Sequence, residues 1–534
     1  MKSLRFVCGF VVFAFGTLLM VLAAQLNPVV NANHPNALPD AQQLPAGTGA
    51  QLFPASQGPP VHFAKPVLSS SGGFLADSVA IADLNGDGHL DLVVANVGMT
   101  GFGQEGVVSV LLGNGDGTFQ APVGYDSGGI GAQFVVIADV NGDGYPDLVV
   151  ANSCESSADC NYLGDTGLGG VGVLLGNGDG TFQAPVRYSS GGGNAYAVAV
   201  ADLNGDGYPD LVVANWCESS SVCSLGTGLE GGVSVLLGNG DGTFQAPVSY
   251  DSGGFNAASV AVADLNGDGH PDVVVANAGS GWVSVLLGNG DGTLQAAVDY
   301  SSGAALPWAV AIADFNSDGK PDLAVGGGRA VSVLLGNGDG TFQAPVSYDT
   351  GGVSYSVAIG DLNGDAKLDV VAVGSGAGVL VGNGDGTFQP YHLRQPGGDS
   401  VAIGDANGDG KLDLVVARSC ERTGKNCTNG AVGVALNNLT ASTTTAVTSS
   451  LNPSQVSQTV TFTATISSNP PIPNQEVVTF YNGATNIGTG TTTNGVATLT
   501  TSFPQAKTYT IKATYAGDAF HKASSGTVKQ VVNP

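Results

Sequence analysis

Apolar runs and short polar punctuation alternate along most of this chain in a constant order. One unit reads YAVAVADLNGDGYPDLVVAN, then a variable stretch, then VSVLLGNGDGTFQAPVSY. The first run is a strand that ends at the polar loop DLNGDGYPD. The second, DLVVAN, is apolar on successive rather than alternate residues, the pattern of a strand buried on both faces. VSVLLG supplies a third strand, and the Asn-Gly-Asp-Gly after it is a hairpin signal rather than a further metal site. TFQAPVSY then reads as an outer strand, its proline placed where an edge tolerates one. Four-stranded units that stack on buried faces predict a β-propeller. Their spacing runs from 44 residues, between Asp361 and Asp405, to 63, between Asp139 and Asp202.

The polar loop recurs seven times as Asp-x-Asn-x-Asp-x-x-x-Asp, which gives seven blades. Its positions 1, 3, 5, 7 and 9 are Asp83, Asn85, Asp87, His89 and Asp91 in the first copy, and Asp139, Asn141, Asp143, Tyr145 and Asp147 in the second. They are Asp202, Asn204, Asp206, Tyr208 and Asp210 in the third, and Asp264, Asn266, Asp268, His270 and Asp272 in the fourth. The fifth has Asp314, Asn316, Asp318, Lys320 and Asp322; the sixth, Asp361, Asn363, Asp365, Lys367 and Asp369; the seventh, Asp405, Asn407, Asp409, Lys411 and Asp413. Oxygen ligands at alternate positions of a tight loop converge on a hard cation such as calcium, with position 7 offering only its backbone carbonyl. The unrelated side chains at position 7 suit that role, and the two histidines there are not expected to bind metal. About seven structural calcium sites follow.

An EF-hand would place a bidentate Glu at position 12 between helices, whereas position 12 is apolar (Val94 in the first copy) and both flanks read as strands. Metal-free Asx turns are the alternative, opposed by the repulsion of three carboxylates within nine residues. Two copies depart from the pattern: Ser317 replaces the position-4 glycine, and Ala366 the position-6 glycine, where a positive φ is expected. The sixth site is therefore expected to be the weakest. The seventh repeat stops at VGVALNNLT, while VHFAKPVLSSSGG (61–73) reads like an outer strand, so the N-terminal strand is expected to close the ring.

DLNGDGYPDLVVAN and GNGDGTFQAPVSY resemble the FG-GAP or VCBS repeats of integrin-α-like propellers, across residues 61–437. That resemblance implies structural calcium at the Asp and Asn positions. Residues 441–534 lack the motif and carry TVTFTATI, VVTFYNG, NGVATLTTS and YTIKATYAGD, resembling a bacterial Ig-like domain, a small β-sandwich without a disulfide. The fold class is thus all-β: a seven-bladed β-propeller followed by an Ig-like sandwich.

The formal charge of −27, from 43 acidic and 16 basic residues, argues against nucleic acid and anionic membranes as partners. Residues 1–32 read as a secretory signal peptide with Lys2 and Arg5 before an apolar run, cleaved after Ala24 or Ala32, so no membrane insertion is expected once it is removed. A Pro-rich linker, 33–60, follows. Six of the seven cysteines fall in close pairs, Cys154 with Cys160, Cys217 with Cys223 and Cys420 with Cys427. Local disulfides in an oxidising, extracellular compartment are expected.

The blade order puts the cysteine loops and all three tryptophans on the face opposite the metal loops. Trp216, Tyr162, Trp282 and Trp308 are the candidate ligand-binding residues, rings suited to stacking on sugars or anchoring a protein. Packing between blades is the competing role, favoured for Tyr196, Trp308 and Tyr355. The six histidines are scattered and assemble no catalytic set. The reading is a secreted, non-enzymatic adhesion or recognition module for a glycan or protein ligand. The alternatives are a polysaccharide-active enzyme, since some calcium propellers that it resembles are polysaccharide lyases, and a purely architectural surface protein.

Overall fold

A computed structural model describes residues 61–98, 106–156, 167–219, 230–393, 397–419, 422–423, 426–427, 430–468 and 471–534. The signal and linker expectations, Tyr162, Cys160, Cys223 and Cys420 lie outside these residues. The described chain is built from strands, with no helix among them.

Each repeat forms an antiparallel sheet in the order first, second, third and outer strand, as in Ala76–Ala82, Asp91–Asn96, Val107–Leu111 and Val123–Asp126. The second strands are buried over their whole length in this repeat and the fourth, as their unbroken apolar runs require. The outer strands are the exposed ones. Repeats two and three share one long strand, Val186–Ala201, whose first half is the outer strand of one and whose second half is the first strand of the next. Their two sheets therefore merge into one of seven strands.

The first strands pack in succession. Ala76–Ala82 lies on Ile130–Ala138, and the series runs through Val186–Ala201, Ala257–Ala263, Pro307–Ala313, Ser354–Gly360 and Ser400–Gly404 back to Ala76–Ala82. The last sheet is completed by the N-terminal strand Val67–Ser70, paired with Ala431–Ala435 in the register Val67 to Val434. Pairing the strand that precedes the first repeat with the last repeat closes the ring by hydrogen bonds. This is the propeller architecture expected from the repeats.

Contacts between neighbouring sheets repeat with the sequence. The outer-strand tyrosine of one repeat meets the hairpin phenylalanine of the next edge-on: Tyr125 with Phe182, Tyr188 with Phe244, Tyr300 with Phe342 and Tyr348 with Phe388, at 5.6–5.7 Å. The last glycine of each Asn-Gly-Asp-Gly turn sits against a leucine of the preceding sheet. Gly117 has φ +82°, and a Cβ there would lie 2.8 Å from Leu436 of the seventh repeat. Both conformation and clearance therefore demand glycine.

Residues 444–533 form a sandwich of a three-stranded and a five-stranded sheet around Phe462, Phe480, Phe503 and Tyr515. Alternating burial along Thr459–Ser467 is that of strands with one face on a core. The sandwich touches the propeller through the turn that carries Phe520. Asp518 accepts the backbone N–H groups of Phe520 and His521 at 2.8 and 2.7 Å and the Tyr515 hydroxyl at 2.7 Å. Held so, the Phe520 ring lies over Gly364 of the sixth polar loop, and Ala519 lies beside Gly410 of the seventh.

Candidate functional site

The polar loops form one set of candidate sites, at the end of the first strand where the chain turns into the buried second strand. In the first copy Asp83 accepts from Gly86 (2.8 Å) and Asp87 (3.2 Å) through Oδ1 and from Gly88 (2.8 Å) through Oδ2. Asn85 Oδ1 accepts the Asp87 N–H at 2.9 Å, and Asp87 Oδ1 the His89 N–H at 2.8 Å. The turn needs left-handed backbone at positions 4 and 6: Gly86 has φ 73° and Gly88 φ 85°. Ser317 and Ala366, the two substitutions, keep the same geometry at φ 59° and 63°. Position 4 thus carries the same demand as position 6, a strain the sequence reading placed only at Ala366.

Position 9 has a role that sequence reasoning missed. Asp91, Asp147, Asp210, Asp272, Asp322, Asp369 and Asp413 are all fully buried. In each, Oδ2 accepts the N–H of loop position 2, as Asp210 does from Leu203 at 2.9 Å, and Oδ1 accepts from the residue closing the third strand, as from Gly238 at 2.7 Å. The signal is present in the sequence as the glycine that opens every Gly-Asn-Gly-Asp-Gly turn, with Asn437 in its place in the seventh copy. Burial, and secondarily the neighbouring loop carboxylates, push these carboxyls up; Asp322 and Asp413 reach about 6, and Asp369 stands well above the usual range.

In the first four copies the position-7 side chain points away from the loop. A Cβ on Gly115 would lie 2.4 Å from the His89 ring, and the same contact joins Tyr145 to Gly178, Tyr208 to Gly240 and His270 to Gly290. In the last three copies the lysine turns back to position 5: Lys320 to Asp318 at 3.9 Å, Lys367 to Asp365 at 3.8 Å and Lys411 to Asp409 at 3.1 Å. The sixth loop differs most. With Phe520 over it, Asn363 is buried, and burial raises the Asp365 carboxyl. Among the described residues, no three His, Cys, Asp or Glu side chains are drawn together as a formed metal centre. The Asn-Gly-Asp-Gly aspartates are turn elements: Asp116 Oδ1 accepts the hydroxyl and N–H of Thr118 at 2.5 and 3.0 Å, and those bonds hold its carboxyl below the usual range.

The candidate aromatics divide. Trp216 stacks on Trp308 with centroids 5.6 Å apart and planes at 16°, Tyr196 lies 5.0 Å from Trp216, and Tyr355 meets Trp308 edge-on at 6.3 Å. Trp308 and Tyr196 are buried; Trp216 and Tyr355 are half-buried. Trp308 belongs to the first strand Pro307–Ala313 itself, not to the connection before it. Trp282, first residue of Trp282–Leu286, is 42% exposed. Cys154 and Cys217 end their strands fully buried beside this face.

The FG-GAP-like repeat family matches residues 83–150, 158–213, 222–275, 264–325, 314–372 and 362–416, and an FG-GAP repeat matches 131–174. A bacterial Ig-like domain (group 3) matches 444–533. The chain is similar to integrin alpha pat-2 of Caenorhabditis briggsae, 29% identical over 192 residues, covering 31% of this chain and 15% of that protein. It is also similar to the phosphatidylinositol-glycan-specific phospholipase D of Bos taurus, 28% identical over 31% of this chain and 22% of that enzyme. It thus spans less than a quarter of the length of these relatives. A solved Agrocybe aegerita lectin, described as recognising non-reducing terminal N-acetylglucosamine, aligns at TM-score 0.40 and 26% identity over 59% of this chain and 79% of its own. With the repeat family matched over more than half its length, the chain belongs to the FG-GAP-like repeat proteins and ends in a bacterial Ig-like domain.

Proposed function

We propose that the protein is a secreted, calcium-stabilised recognition module that binds a glycan or protein ligand outside the cell and catalyses no reaction. The observation that carries calcium is the repeated loop: three carboxylates and an amide oxygen within nine residues, an oxygen-only donor set suited to a hard cation. Positions 1, 3, 5 and 9 would hold the ion by side chains and position 7 by its carbonyl, and the ion would offset the repulsion that the carboxylates exert on one another. Disulfides Cys154–Cys160, Cys217–Cys223 and Cys420–Cys427 and removal of the N-terminal signal belong to the same reading. Adhesion is supported by the family and by the integrin relatives, and a ligand surface by the aromatic cluster opposite the metal loops.

The test is binding of the mature protein, in millimolar calcium, to an array of immobilised glycans and to extracellular matrix proteins, with polysaccharide turnover assayed in parallel. Saturable, calcium-dependent binding without turnover is expected. Turnover of a polysaccharide would make the protein an enzyme, and failure to bind any glycan or protein would leave an architectural role.

A further inference from the structure

The residue six positions before the first aspartate of each loop stands at the same place in every repeat. In six of the repeats it is the extra residue of a β-bulge: the partners of the first strand skip Asp77, Gln133, Tyr196, Ala258, Trp308 and Tyr355 in turn. In the seventh it is Asp399, just before Ser400–Gly404. Because the first strands are the ones that pack successively into a ring, these positions encircle its axis at the end away from the metal loops. Ring contacts support this: Tyr196 of the third repeat and Trp308 of the fifth lie 6.5 Å apart, reaching past the small Ala258 of the fourth. Trp216, at the end of the neighbouring second strand, stacks into the space Ala258 leaves.

The circle is two-sided in chemistry. Repeats three, five and six contribute the aromatics Tyr196, Trp308 and Tyr355, with Ala258 of the fourth between them, while repeats seven, one and two contribute Asp399, Asp77 and Gln133, consecutive around the ring. Asp77 is fully buried. Asp399 is half-buried and accepts the Ser419 N–H at 2.5 Å. Gln133 is 6% exposed; its Nε2 donates to Ser153 Oγ at 2.6 Å, while its Oε1 is buried with no hydrogen-bond partner. A buried acceptor left without a donor costs about 1–3 kcal/mol, so a ligand hydroxyl supplied there is rewarded.

We propose that this axial circle is a binding site for one pyranose unit of a glycan. A pyranose has a C–H face that stacks on an aromatic ring and a rim of hydroxyls that donate to carboxylates and an amide oxygen. Trp216 and Tyr355, the half-exposed aromatics of this cluster, offer the stacking surface; Gln133, Asp77 and Asp399 take the hydroxyls. The proposal rests on the glycan branch of the proposed function and gives it a location.

The test is calorimetric titration of the mature protein in millimolar calcium with free hexoses and N-acetylhexosamines, for wild type, Trp216→Ala, Trp216→Phe and Gln133→Ala, each with its melting curve. Wild type is expected to bind one of the sugars, Trp216→Ala to lose about tenfold or more in affinity, and Trp216→Phe to recover most of it. Gln133→Ala is expected to weaken binding several-fold in a protein that still folds, its melting curve reading the cost of the lost bond to Ser153 and of the cavity, offset in part by removal of the unpartnered acceptor. If Trp216→Ala does not fold, Gln133→Ala decides. Wild-type sugar affinity in a folded Gln133→Ala would overturn the location while leaving glycan recognition standing. Absence of binding to every sugar and every arrayed glycan would overturn both.

Discussion

Repeats one to four and repeats five to seven share one backbone plan but stabilise it differently. In the first four, the sixth residue of the second strand is an asparagine, Asn96, Asn152, Asn215 or Asn277, whose side-chain oxygen accepts a serine hydroxyl from in or just after the preceding outer strand at 2.6–2.7 Å. In repeats five and six that residue is Gly327 or Gly374, and in the seventh it is Arg418. The later repeats carry their own ammonium at position 7, and two of their loops lie against the Ig-like domain. Position 9 makes the same two backbone bonds and is fully buried in every copy. The lesson is that the buried aspartate tying the loop to the hairpin is the invariant of the fold, whereas the exposed carboxylates face different electrostatic surroundings in the two halves.

Calcium removal is expected to have the largest effect. For a Kd of about 10⁻⁴ M in about 1 mM calcium, each site contributes roughly 1.4 kcal/mol, so seven would supply about 10, on the scale of a domain's net stability. EDTA should therefore lower the melting temperature substantially. The comparison adds that repeats one to four, without an internal ammonium, should lose hydrogen-exchange protection first. Equal loss around the ring would remove the distinction between the halves.

Next in size is Asp210→Ala. It strands the buried N–H groups of Leu203 and Gly238, at about 1–3 kcal/mol each, and chemical denaturation should show a loss of that order even in EDTA. The same substitution at Asp322 should cost as much, because the two bonds recur there. A pure metal-ligand role would instead leave both variants unchanged in EDTA.

The pH response separates the halves without mutation. Asp322 and Asp413 have folded-state values near 6, above the ordinary 3.8, so the folded chain binds more protons than the unfolded chain between those limits. Their contribution falls as pH rises from about 4 to about 6, and in EDTA this term should make the later repeats better protected at pH 5.5 than at pH 7.5. Calcium, by stabilising the ionised carboxylates, should diminish the difference. Protection that is indifferent to pH in EDTA would remove the burial argument.

The smallest expected effect is from Ala366→Gly. Relieving a non-glycine residue at φ 63° is worth about 1 kcal/mol, offset in part by the freer unfolded chain, so stability should rise slightly and the sixth site should bind calcium more tightly. The equivalent Ser317→Gly should behave alike, since Ser317 has φ 59°.

What was legible in the sequence follows from repetition. The loop, the doubly buried second strand and the completing strand at 61–73 recur in register, so one unit explains the others. The remainder depends on partners far along the chain. Nothing in AGDAFHKAS marks Phe520 for the sixth loop, because the contact joins residues with no common period. The bulge that turns Gln133 and Trp308 to one axial circle is a one-residue register shift, invisible in apolar periodicity because it adds a residue without changing the pattern on either side. The backbone duty of position 9 was hidden by its fit to a ligand pattern that explained the same aspartates.

The most direct measurement is calcium stoichiometry on the mature, chelator-stripped protein, by calorimetric titration with the bound metal counted independently by mass spectrometry. The expected result is about seven ions per chain in two affinity classes, the weaker one including the covered sixth loop. Binding of none, or of a single ion, by folded protein would contradict the assignment of the repeated loops as calcium sites.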